Sequence, residues 1–343
     1  MIMGGCINIL KILFISVCCV SFAESKTENL LKLFKDYVIK FNKTYQYHDD
    51  SRLLSKRFQV FKENLEFYDR INGQADVNGT LVYGINKFSD LTPEEFRKIY
   101  LSDLIRHEVY QHKNQKTPLD LIKNLNIPKI VDWRKKKIIS AVKNQGHCGA
   151  CWAFSTTETV ESMYAKVTGQ PVPDLSVQEV IDCAAGNYGC AGGDTCTALS
   201  WMVNNRTRLV YNKDYPLVDV TQKCHRLSPS LPNVSVLEYS CKNYVGNEQK
   251  MLQLLSSVGP LVITVDATTW NSYMGGIIKF HCSNYNNHAV QIVGYDLTGE
   301  VPFYIIRNSW GPDFGDKGYL YVKIGDNLCG VAQRVSTVAV DVS

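Results

Sequence analysis

The chain has 343 residues, of which 45% are hydrophobic and 20% charged, with a formal net charge of +4 at pH 7. This is ordinary globular composition, and the length suffices for one large core or two smaller ones. The charge is too small to favour nucleic-acid binding. We interpret the densest basic run, residues 134–137, as a solvated surface loop, with a docking patch as the alternative.

The first 23 residues predict a secretory leader. Lys11 precedes an apolar run at residues 12–20, and Ser21 and Ala23 are the small residues that fit cleavage after Ala23. The run is shorter than the roughly 20 residues that span a bilayer. A buried N-terminal strand or helix is the alternative. We therefore expect a soluble mature protein without a membrane span, and glycan acceptors at Asn42, Asn78, Asn205 and Asn233.

Residues 24–126 contain no Cys and have helical periodicity. Two apolar stripes with helical spacing predict two helices that pack on each other into a small domain. A strand-like piece at residues 80–88 follows, and then a short helix that begins at Thr92. The stripes are Leu30, Phe34, Tyr37 and Phe41 in the first helix, and Leu54, Phe58, Phe61, Leu65 and Tyr68 in the second.

The most informative run is residues 144–154, in which Cys151 stands at the predicted start of a helix that ends near Lys166. A helix N-terminus carries partial positive charge, which lowers a thiol pKa and favours the nucleophilic thiolate. His288 and Asn308 follow 137 and 157 residues later. A zinc site at Cys148 and Cys151 is the alternative, but no second ligand pair of the usual spacing accompanies it.

After Cys151 the chain changes character. Ser176 predicts the start of a second helix, with Glu179 completing a capping box. Short apolar runs rich in β-branched and aromatic residues then predict strands at residues 261–265, 288–294, 303–308 and 319–324. A helical half followed by an antiparallel half is an α+β pattern of two subdomains. The Cys would lie on one side of a cleft, and the His and Asn on the other.

These residues resemble the papain family of cysteine peptidases. Residues 148–152 match the signature of its nucleophile, and the family places a His and an Asn about 130–150 residues downstream. Residues 174–178, 187–190, 259–262 and 275–278 resemble one subgroup more closely. The resemblance implies a papain-like fold with a helical left subdomain and a barrel-like antiparallel right subdomain, residues 127–343, after an inhibitory helical propeptide at residues 24–126.

The propeptide resemblance rests on two motifs. The first matches at Arg57, Phe61, Asn64 and Asn72 but departs at Leu53, where Glu is usual, and at Tyr68, where Ile is usual. The second is complete at residues 84–90. We therefore expect a latent precursor whose linker, residues 107–123, crosses the site and is cut. Acid should release it, because Asp90 and its neighbours change charge as the pH falls.

The resemblance also assigns roles in catalysis. Cys151 would be the nucleophile and form an ion pair with His288, which later protonates the leaving amine. Asn308 would orient the imidazole, and Trp310 would cover that hydrogen bond from water. The Gln145 side chain and the Cys151 backbone N–H would stabilise the oxyanion.

Substrate would pair as an extended strand with the Gly192 and Gly193 loop. Arg334 at the base of the second subsite would favour an acidic substrate residue. Alternatively, Arg334 turns to solvent or pairs with Asp194, which masks its charge. The remaining residues lining that subsite would be Thr195, Thr264 and Ala289.

Nine cysteines follow the leader, an odd number that leaves one thiol unpaired if the others form bridges. The matching family positions imply the pairs Cys148–Cys190, Cys183–Cys224 and Cys282–Cys329. Parity then suggests a fourth bridge between Cys196 and Cys241, so that Cys151 keeps a free thiol. This usage fits a secreted or lysosomal compartment.

The leading hypothesis is a lysosomal or extracellular cysteine endopeptidase, made as a zymogen and without a metal or other cofactor. Expected partners are peptide and protein substrates, its own propeptide and cystatin-type inhibitors, and the protein should be a monomer. An exopeptidase is one alternative, although no inserted loop that blocks one end of the cleft is recognisable between Gly193 and His288. The other is an inactive homologue that acts as a binding protein.

Overall fold

The computed structural model describes residues 27–47, 51–73, 82–102, 126–225, 227, 233–280 and 282–341. The expected leader, the acceptor Asn78 and the linker at residues 107–123 lie outside this part of the chain. Within it, no helix is long and apolar enough to cross a membrane. The same residues contain no group of three or more His, Cys, Asp or Glu side chains that could hold a metal ion.

The N-terminal region forms a small helical domain, as its periodicity predicts, and it is called the pro-domain below because the resemblance implies a propeptide here. Helix α1 covers residues 27–40, α2 covers Ser51–Asn72, and a 3-10 turn, Thr44–Tyr47, lies between them. Their shared core is mainly aromatic, because the stripes on both helices face each other. The prediction was wrong at Leu54, whose side chain is exposed, and Leu53 packs against the core instead. The buried residues are Phe34, Tyr37, Val38, Tyr45 and Phe61.

The segment after α2 joins the pro-domain to the rest of the protein. Residues 80–88 were predicted as a strand, but among those the structure describes only Tyr83 makes a β-bridge, to Tyr273. A turn follows at residues 87–90. Helix α3, Pro93–Tyr100, then begins with the complete capping box of Thr92 and Glu95. This segment therefore docks onto the following domain instead of extending a sheet of its own.

The second region begins with strand β1, Ile130–Asp132, and a 3-10 turn, Trp133–Lys136. Helix α4, Cys151–Thr168, starts where predicted and ends at Gly169, which adopts the left-handed conformation with φ +67°. Fourteen of its 18 residues are buried, so it forms the centre of the domain. Four of its five buried Ser and Thr hydroxyls donate to carbonyls one turn earlier, which satisfies them inside the domain.

Three further helices complete the α part. Helix α5, Val177–Cys183, is capped by Ser176, whose hydroxyl accepts from the Glu179 N–H at 2.9 Å. The Glu179 carboxylate accepts from Val210 N instead of closing the predicted capping box. Helices α6, Thr195–Asn204, and α7, Glu248–Ser257, were not predicted. Single 3-10 turns lie at Gly189–Ala191, Trp270–Ser272 and Leu328–Gly330.

The strands form a nine-stranded sheet in the order β2-β3-β9-β4-β6-β7-β8-β5, with β1 paired to β6. All described pairs are antiparallel except β5 with β8. The four predicted strands are confirmed, with ends that differ by up to two residues. The fold is α+β as expected, although the division into halves is imperfect, because β1 and β2 precede the strand region and α7 lies inside it. The strands are β2 Arg208–Val210, β3 Asn233–Lys242, β4 Leu261–Val265, β5 Ile277–Ile278, β6 His288–Asp296, β7 Phe303–Arg307, β8 Tyr319–Lys323 and β9 Val335–Val340.

Four disulfides cross-link this second region. The structure joins the pairs that the family positions and parity implied: Cys148–Cys190, Cys183–Cys224, Cys196–Cys241 and Cys282–Cys329. Cys151 is the one free cysteine among the described residues.

Candidate active site

Cys151 is the first residue of α4, and its side chain is fully buried. The residue before it, Ala150, has no capping side chain, so the helix N-terminus directs its free N–H groups toward the thiol. Burial nevertheless raises the thiol pKa to about 11, although backbone N–H groups, foremost that of Ala289, act to lower it. The thiol is therefore neutral in this state.

His288 and Asn308 meet at the ends of two neighbouring strands. His288 opens β6, and Asn308 directly follows β7. His288 Nε2 lies 2.8 Å from Asn308 Oδ1, which also accepts from Ser309 N at 2.8 Å. An amide oxygen only accepts, so Nε2 carries the proton and Nδ1 is left with a free lone pair. Nδ1 makes no hydrogen bond among the described residues, which leaves it available as a base.

Trp310 shields the imidazole. Its ring centroid is 4.8 Å from that of His288, and both side chains are fully buried. Burial lowers the His288 pKa to about 4, although the Asn308 hydrogen bond acts to raise it. The sequence led us to expect a thiolate–imidazolium pair, whereas both groups are neutral in this precursor. The physical reason is that a covered site of low polarity disfavours each charged form.

Gln145 is fixed in one orientation beside these residues. Its Oε1 accepts from Ser309 Oγ at 2.7 Å, and its Nε2 donates to Cys148 O at 3.0 Å. The same Nε2 lies 3.4 Å from the carbonyl oxygen of Tyr100 in the pro-domain. A side-chain amide held in this way can donate to an oxygen in the cleft, and here the pro-domain supplies that oxygen.

The pro-domain covers the site through backbone and aromatic contacts. Ser102 N donates to Asn287 O at 2.7 Å, next to His288. The rings of Phe88 and Phe96 pack edge-on against Trp310, with centroid distances of 5.6 and 5.2 Å. Lys87 Nζ lies 2.5 Å from Trp310 O and 2.7 Å from Asp313 Oδ1. With the pro-domain in this position, the thiol and the imidazole are both fully buried.

The glycine loop lies beside the helix that carries Cys151. Gly192 has φ +120°, a backbone conformation that side chains rarely adopt. A Cβ on Gly193 would approach the Trp152 ring to 2.7 Å, so only glycine allows this close packing. The Trp152 indole N–H donates to Gly189 O at 3.2 Å, which ties the loop to α4.

The residues of the expected second subsite are joined in the structure, where Thr264 N donates to Arg334 O at 3.2 Å. Asp194 caps α6, with its Oδ1 accepting from Thr197 N at 2.7 Å, and its Oδ2 lies 2.5 Å from Arg334 Nη1. The charge of Arg334 is therefore paired with that of Asp194, which is one of the two alternatives to an acidic substrate preference given above. Thr264 Oγ1 accepts from Asn286 Nδ2 at 2.6 Å and pairs in register with Ala289. Thr195, the first residue of α6, is buried.

Three of the four candidate glycan acceptors are described. Asn42 and Asn205 are exposed, and Asn233 at the start of β3 is half-buried. The Asn205 amide donates to Trp201 O at 2.9 Å, a local bond that an attached glycan would have to replace.

Sequence reasoning missed several residues at the site. Ser309 holds Gln145, and its position between Asn308 and Trp310 was the available signal. Tyr100 and Ser102 contact the cleft, but no motif marked them. A buried ion pair of Glu158 and Arg307 was also missed, although two Glu in a helix of small and apolar residues is an unusual pattern.

Comparisons with known proteins decide the family. Residues 127–339 match the family described as "Papain family cysteine protease", and residues 34–96 match the "Cathepsin propeptide inhibitor domain (I29)". The chain belongs to the papain family of cysteine proteases. It is a cysteine peptidase that carries its own inhibitory propeptide, so it is synthesised as a zymogen.

Within the papain family the chain is similar to cathepsin O, the subgroup indicated by the four segments named above. It is 44% identical to cathepsin O of Homo sapiens over 287 residues, which cover 82% of this chain and 87% of the relative. Among solved structures it resembles procathepsin L2 from Tenebrio molitor larval midgut, with a TM-score of 0.80 and 27% identity. That match covers 90% of this chain and 99% of the other.

A second solved structure matches a smaller part of the chain. Bromelain from Ananas comosus in complex with the E64 inhibitor has a TM-score of 0.57 and 31% identity, covering 63% of this chain and 100% of that one.

Proposed function

We propose that this papain-family protease is an endopeptidase of the lysosome or the extracellular space that acts through Cys151, His288 and Asn308. The observation that carries the proposal is the free thiol at the N-terminus of α4, in the same covered site as the His288–Asn308 hydrogen bond. Residues 1–23 would be the leader, 24–126 the removed propeptide and 127–343 the mature enzyme.

Removal of the propeptide changes the electrostatics of the site. Water reaches the thiol and the imidazole, so the burial that keeps both neutral is relieved. The proton then moves from Cys151 to Nδ1 of His288, and the α4 N-terminus stabilises the thiolate. The Nε2–H bond to Asn308 keeps the imidazolium in position.

The reaction then follows from the geometry. The thiolate attacks the substrate carbonyl, and Gln145 Nε2 with the Cys151 backbone N–H stabilise the oxyanion. Imidazolium Nδ1–H protonates the departing amine as the C–N bond breaks, which leaves a thioester. Neutral His288 next takes a proton from water, and the hydroxide attacks the thioester carbon, which breaks the C–S bond, releases the acid and restores the thiolate and the imidazolium. Substrate backbone pairs with Gly192 and Gly193, while cystatin-type inhibitors would compete for this cleft.

The experiment compares the wild type, Cys151→Ala and Thr157→Val after expression as full precursor. Thr157 lies on the same helix, and its hydroxyl makes no hydrogen bond among the described residues, so it is a matched control. We expect Cys151→Ala to lose at least about 1,000-fold in kcat/KM with an unchanged fold, because no neighbouring group can replace the nucleophile. A thiol-reactive epoxide should label Cys151 in the other two proteins.

The products decide between internal and terminal cleavage. A peptide library should be cut at internal bonds, and products shortened by one or two residues from one end would instead support an exopeptidase. Activity of Cys151→Ala within tenfold of the wild type would exclude the proposed nucleophile.

A further inference from the structure

An ion pair is buried beneath the site between α4 and the sheet. Glu158 Oε1 lies 3.2 Å from Arg307 Nη2, and the two side chains are 1% and 0% exposed. The contact is one of charge, without the angle of a hydrogen bond. Buried charges are costly to desolvate, and a pair of apolar residues often serves stability equally well. The pair therefore calls for a role other than stability.

Its position suggests that role. Glu158 lies two turns after Cys151 on α4, and Arg307 is the last residue of β7, directly before Asn308. Arg307 also donates from Nη2 to Ser140 Oγ at 3.1 Å and to Ala141 O at 2.5 Å. The guanidinium is thus held on several sides, and Glu158 provides its contact with α4.

A third element joins the same network. Gln291, three residues after His288 on β6, donates from Nε2 to Glu158 O at 3.2 Å and to Ser162 Oγ at 3.0 Å, both on α4. Its Oε1 accepts from Arg307 Nη1 at 3.4 Å. The network therefore connects the three elements that carry Cys151, His288 and Asn308.

We propose that Glu158 is a positioning residue, which through Arg307 fixes Asn308, and with it the His288 imidazole, relative to the helix that carries Cys151. The inference rests on the proposed catalytic roles of these three residues. Glu158 itself does not touch substrate. Its contribution requires a polar side chain at this place in the helix: a carboxylate attracts Arg307 by its charge, and a carboxylic acid or an amide does so more weakly by the dipole of its oxygen, whereas a leucine has neither.

The charges around Glu158 give the proposal a pH signature. Arg307 faces it from β7, Lys143 from the segment before α4, Tyr319 from β8 and Glu161 from its own helix. Burial raises the Glu158 pKa to about 7, against the lowering effect of Arg307. The carboxyl is therefore charged mainly above pH 7. A variant with glutamine at this position therefore differs from the wild type in charge only above pH 7, where it leaves the charge of Arg307 uncompensated.

The test measures kcat and KM against pH for the wild type, Glu158→Leu, Glu158→Gln and the control Thr157→Val, all matured from full precursor. Glu158→Leu should lower kcat about tenfold with KM within twofold, because binding groups stay in place while the imidazole loses its fixed position. Glu158→Gln should restore kcat below pH 6.

The alkaline limb adds an independent readout. Glu158 lies seven residues after Cys151 on α4, about 10 Å along the helix. Over a distance of this order, the uncompensated positive charge of Arg307 disfavours the positively charged imidazolium of His288. The alkaline limb of Glu158→Gln should then move to lower pH by about half a unit. A purely structural role would lower the thermal stability of the variants without moving this limb.

The outcomes separate the two proposals. If the wild type and Thr157→Val fail to turn over peptides or to be labelled at Cys151, the proposed function is wrong. If both are active and Glu158→Leu retains kcat within twofold, the positioning role is wrong. If Glu158→Leu does not fold, an alkaline limb of Glu158→Gln that superimposes on the wild type overturns the proposal.

Discussion

The pro-domain and the peptidase domain are stabilised by different means. Residues 24–126 contain no Cys, and the described part has a small aromatic core and a polar network in which Asp90 Oδ1 accepts from Tyr37 OH at 2.6 Å and Lys43 Nζ at 2.7 Å. The peptidase domain has four disulfides that close loops of 41–47 residues, and two large cores, one of which also includes pro-domain side chains such as Phe88 and Phe96. The region that is expected to be removed thus has no disulfides, whereas the enzyme that remains is cross-linked by four.

The difference predicts that the two regions respond to different treatments. Reduction acts on the peptidase domain, because all the described disulfides lie there. Acid acts on the pro-domain and its contacts with the active site, where titrating groups are buried or paired. Each prediction below tests one side of this contrast.

The largest expected effect is loss of the Cys196–Cys241 bridge. This disulfide joins α6 to β3, and the replacement of both residues by Ser should lower the free energy of unfolding by about 2–4 kcal/mol, since a long loop is freed in the unfolded state. The measurement is denaturant unfolding in a Cys151→Ala background, which prevents self-digestion. The pro-domain transition should stay in place.

Peptide mapping checks the same bridge chemically. In the native, non-reduced protein Cys196 and Cys241 should resist alkylation, whereas Cys151 should react once the propeptide is removed. If Cys196 or Cys241 is alkylated in the native protein, the fourth bridge does not exist in solution, and the contrast between the regions weakens.

Acid release is the next largest effect, and the structure changes its cause. We expected Asp90 to control docking, but it lies in the network inside the pro-domain and faces Tyr37 and Lys43 instead of the cleft. The buried imidazole is the better candidate. Its pKa is about 4 when covered, against an ordinary value of 6.5, because burial disfavours the imidazolium.

The sign follows from this depression. In a Cys151→Ala precursor, where no thiolate forms to hold the imidazolium, docking stability is fully present above pH 6.5 and is lost progressively as the pH falls toward 4, since the undocked imidazole binds the proton more tightly. Between pH 7 and 4.5 the undocked fraction of this variant should rise about 50-fold. Glu95 adds a second step. Partial burial acts to raise its pKa, but hydrogen bonds from Arg57 and the Thr92 backbone lower it overall, so its contribution to the pro-domain fades below its ordinary value of 4.5.

The measurement is the rate at which a trace of mature wild-type enzyme cleaves the Cys151→Ala precursor, divided by its rate on a reference peptide at the same pH. The reference peptide is the control for the activity of the added enzyme itself. A ratio that does not change between pH 7 and 4.5 would show that covering of His288 does not control release.

Much of this fold and site was predictable from the sequence, and the failures have physical causes. Cys151 marks the start of α4, and the four apolar runs mark β4, β6, β7 and β8. Strand β3 was missed because a register shift between Val236 and Glu238 interrupts its alternation. Leu54 was misassigned because the neighbouring Leu53 and Leu54 fit a helical stripe about equally well. Only the side chains that pack against the helix determine which of the two is buried.

The electrostatic state of the site could not be read from the sequence at all. The Cys and His that we propose form an ion pair in water are both neutral under the pro-domain, and the difference lies in chain segments more than 200 residues away, such as Phe88 and Phe96, which pack against Trp310. Likewise, Asp194 and Arg334 are 140 residues apart, so their pairing was only one of several alternatives.

The smallest expected effect concerns this last pair, which contrasts with Glu158 and Arg307 because it is partly exposed, at 9% and 15%. With both charges satisfied by each other, the second subsite should prefer Leu over both Glu and Arg. Arg334→Ala leaves Asp194 with an unpaired carboxylate, which should raise kcat/KM for Arg relative to Leu about three- to tenfold, as expected for a partly exposed pair.

The assay compares three peptides with Leu, Glu or Arg at the second-subsite position, against the wild type, Arg334→Ala and the control Arg208→Ala. Arg208 is an exposed residue of β2, so the control removes one positive charge away from the glycine loop. The opposite result would be equally clear. If the wild type prefers Glu and Arg334→Ala loses that preference, Arg334 leaves Asp194 and binds the substrate carboxylate. The ion pair with Asp194 would then be present only in the enzyme without substrate, and Arg334 would determine specificity.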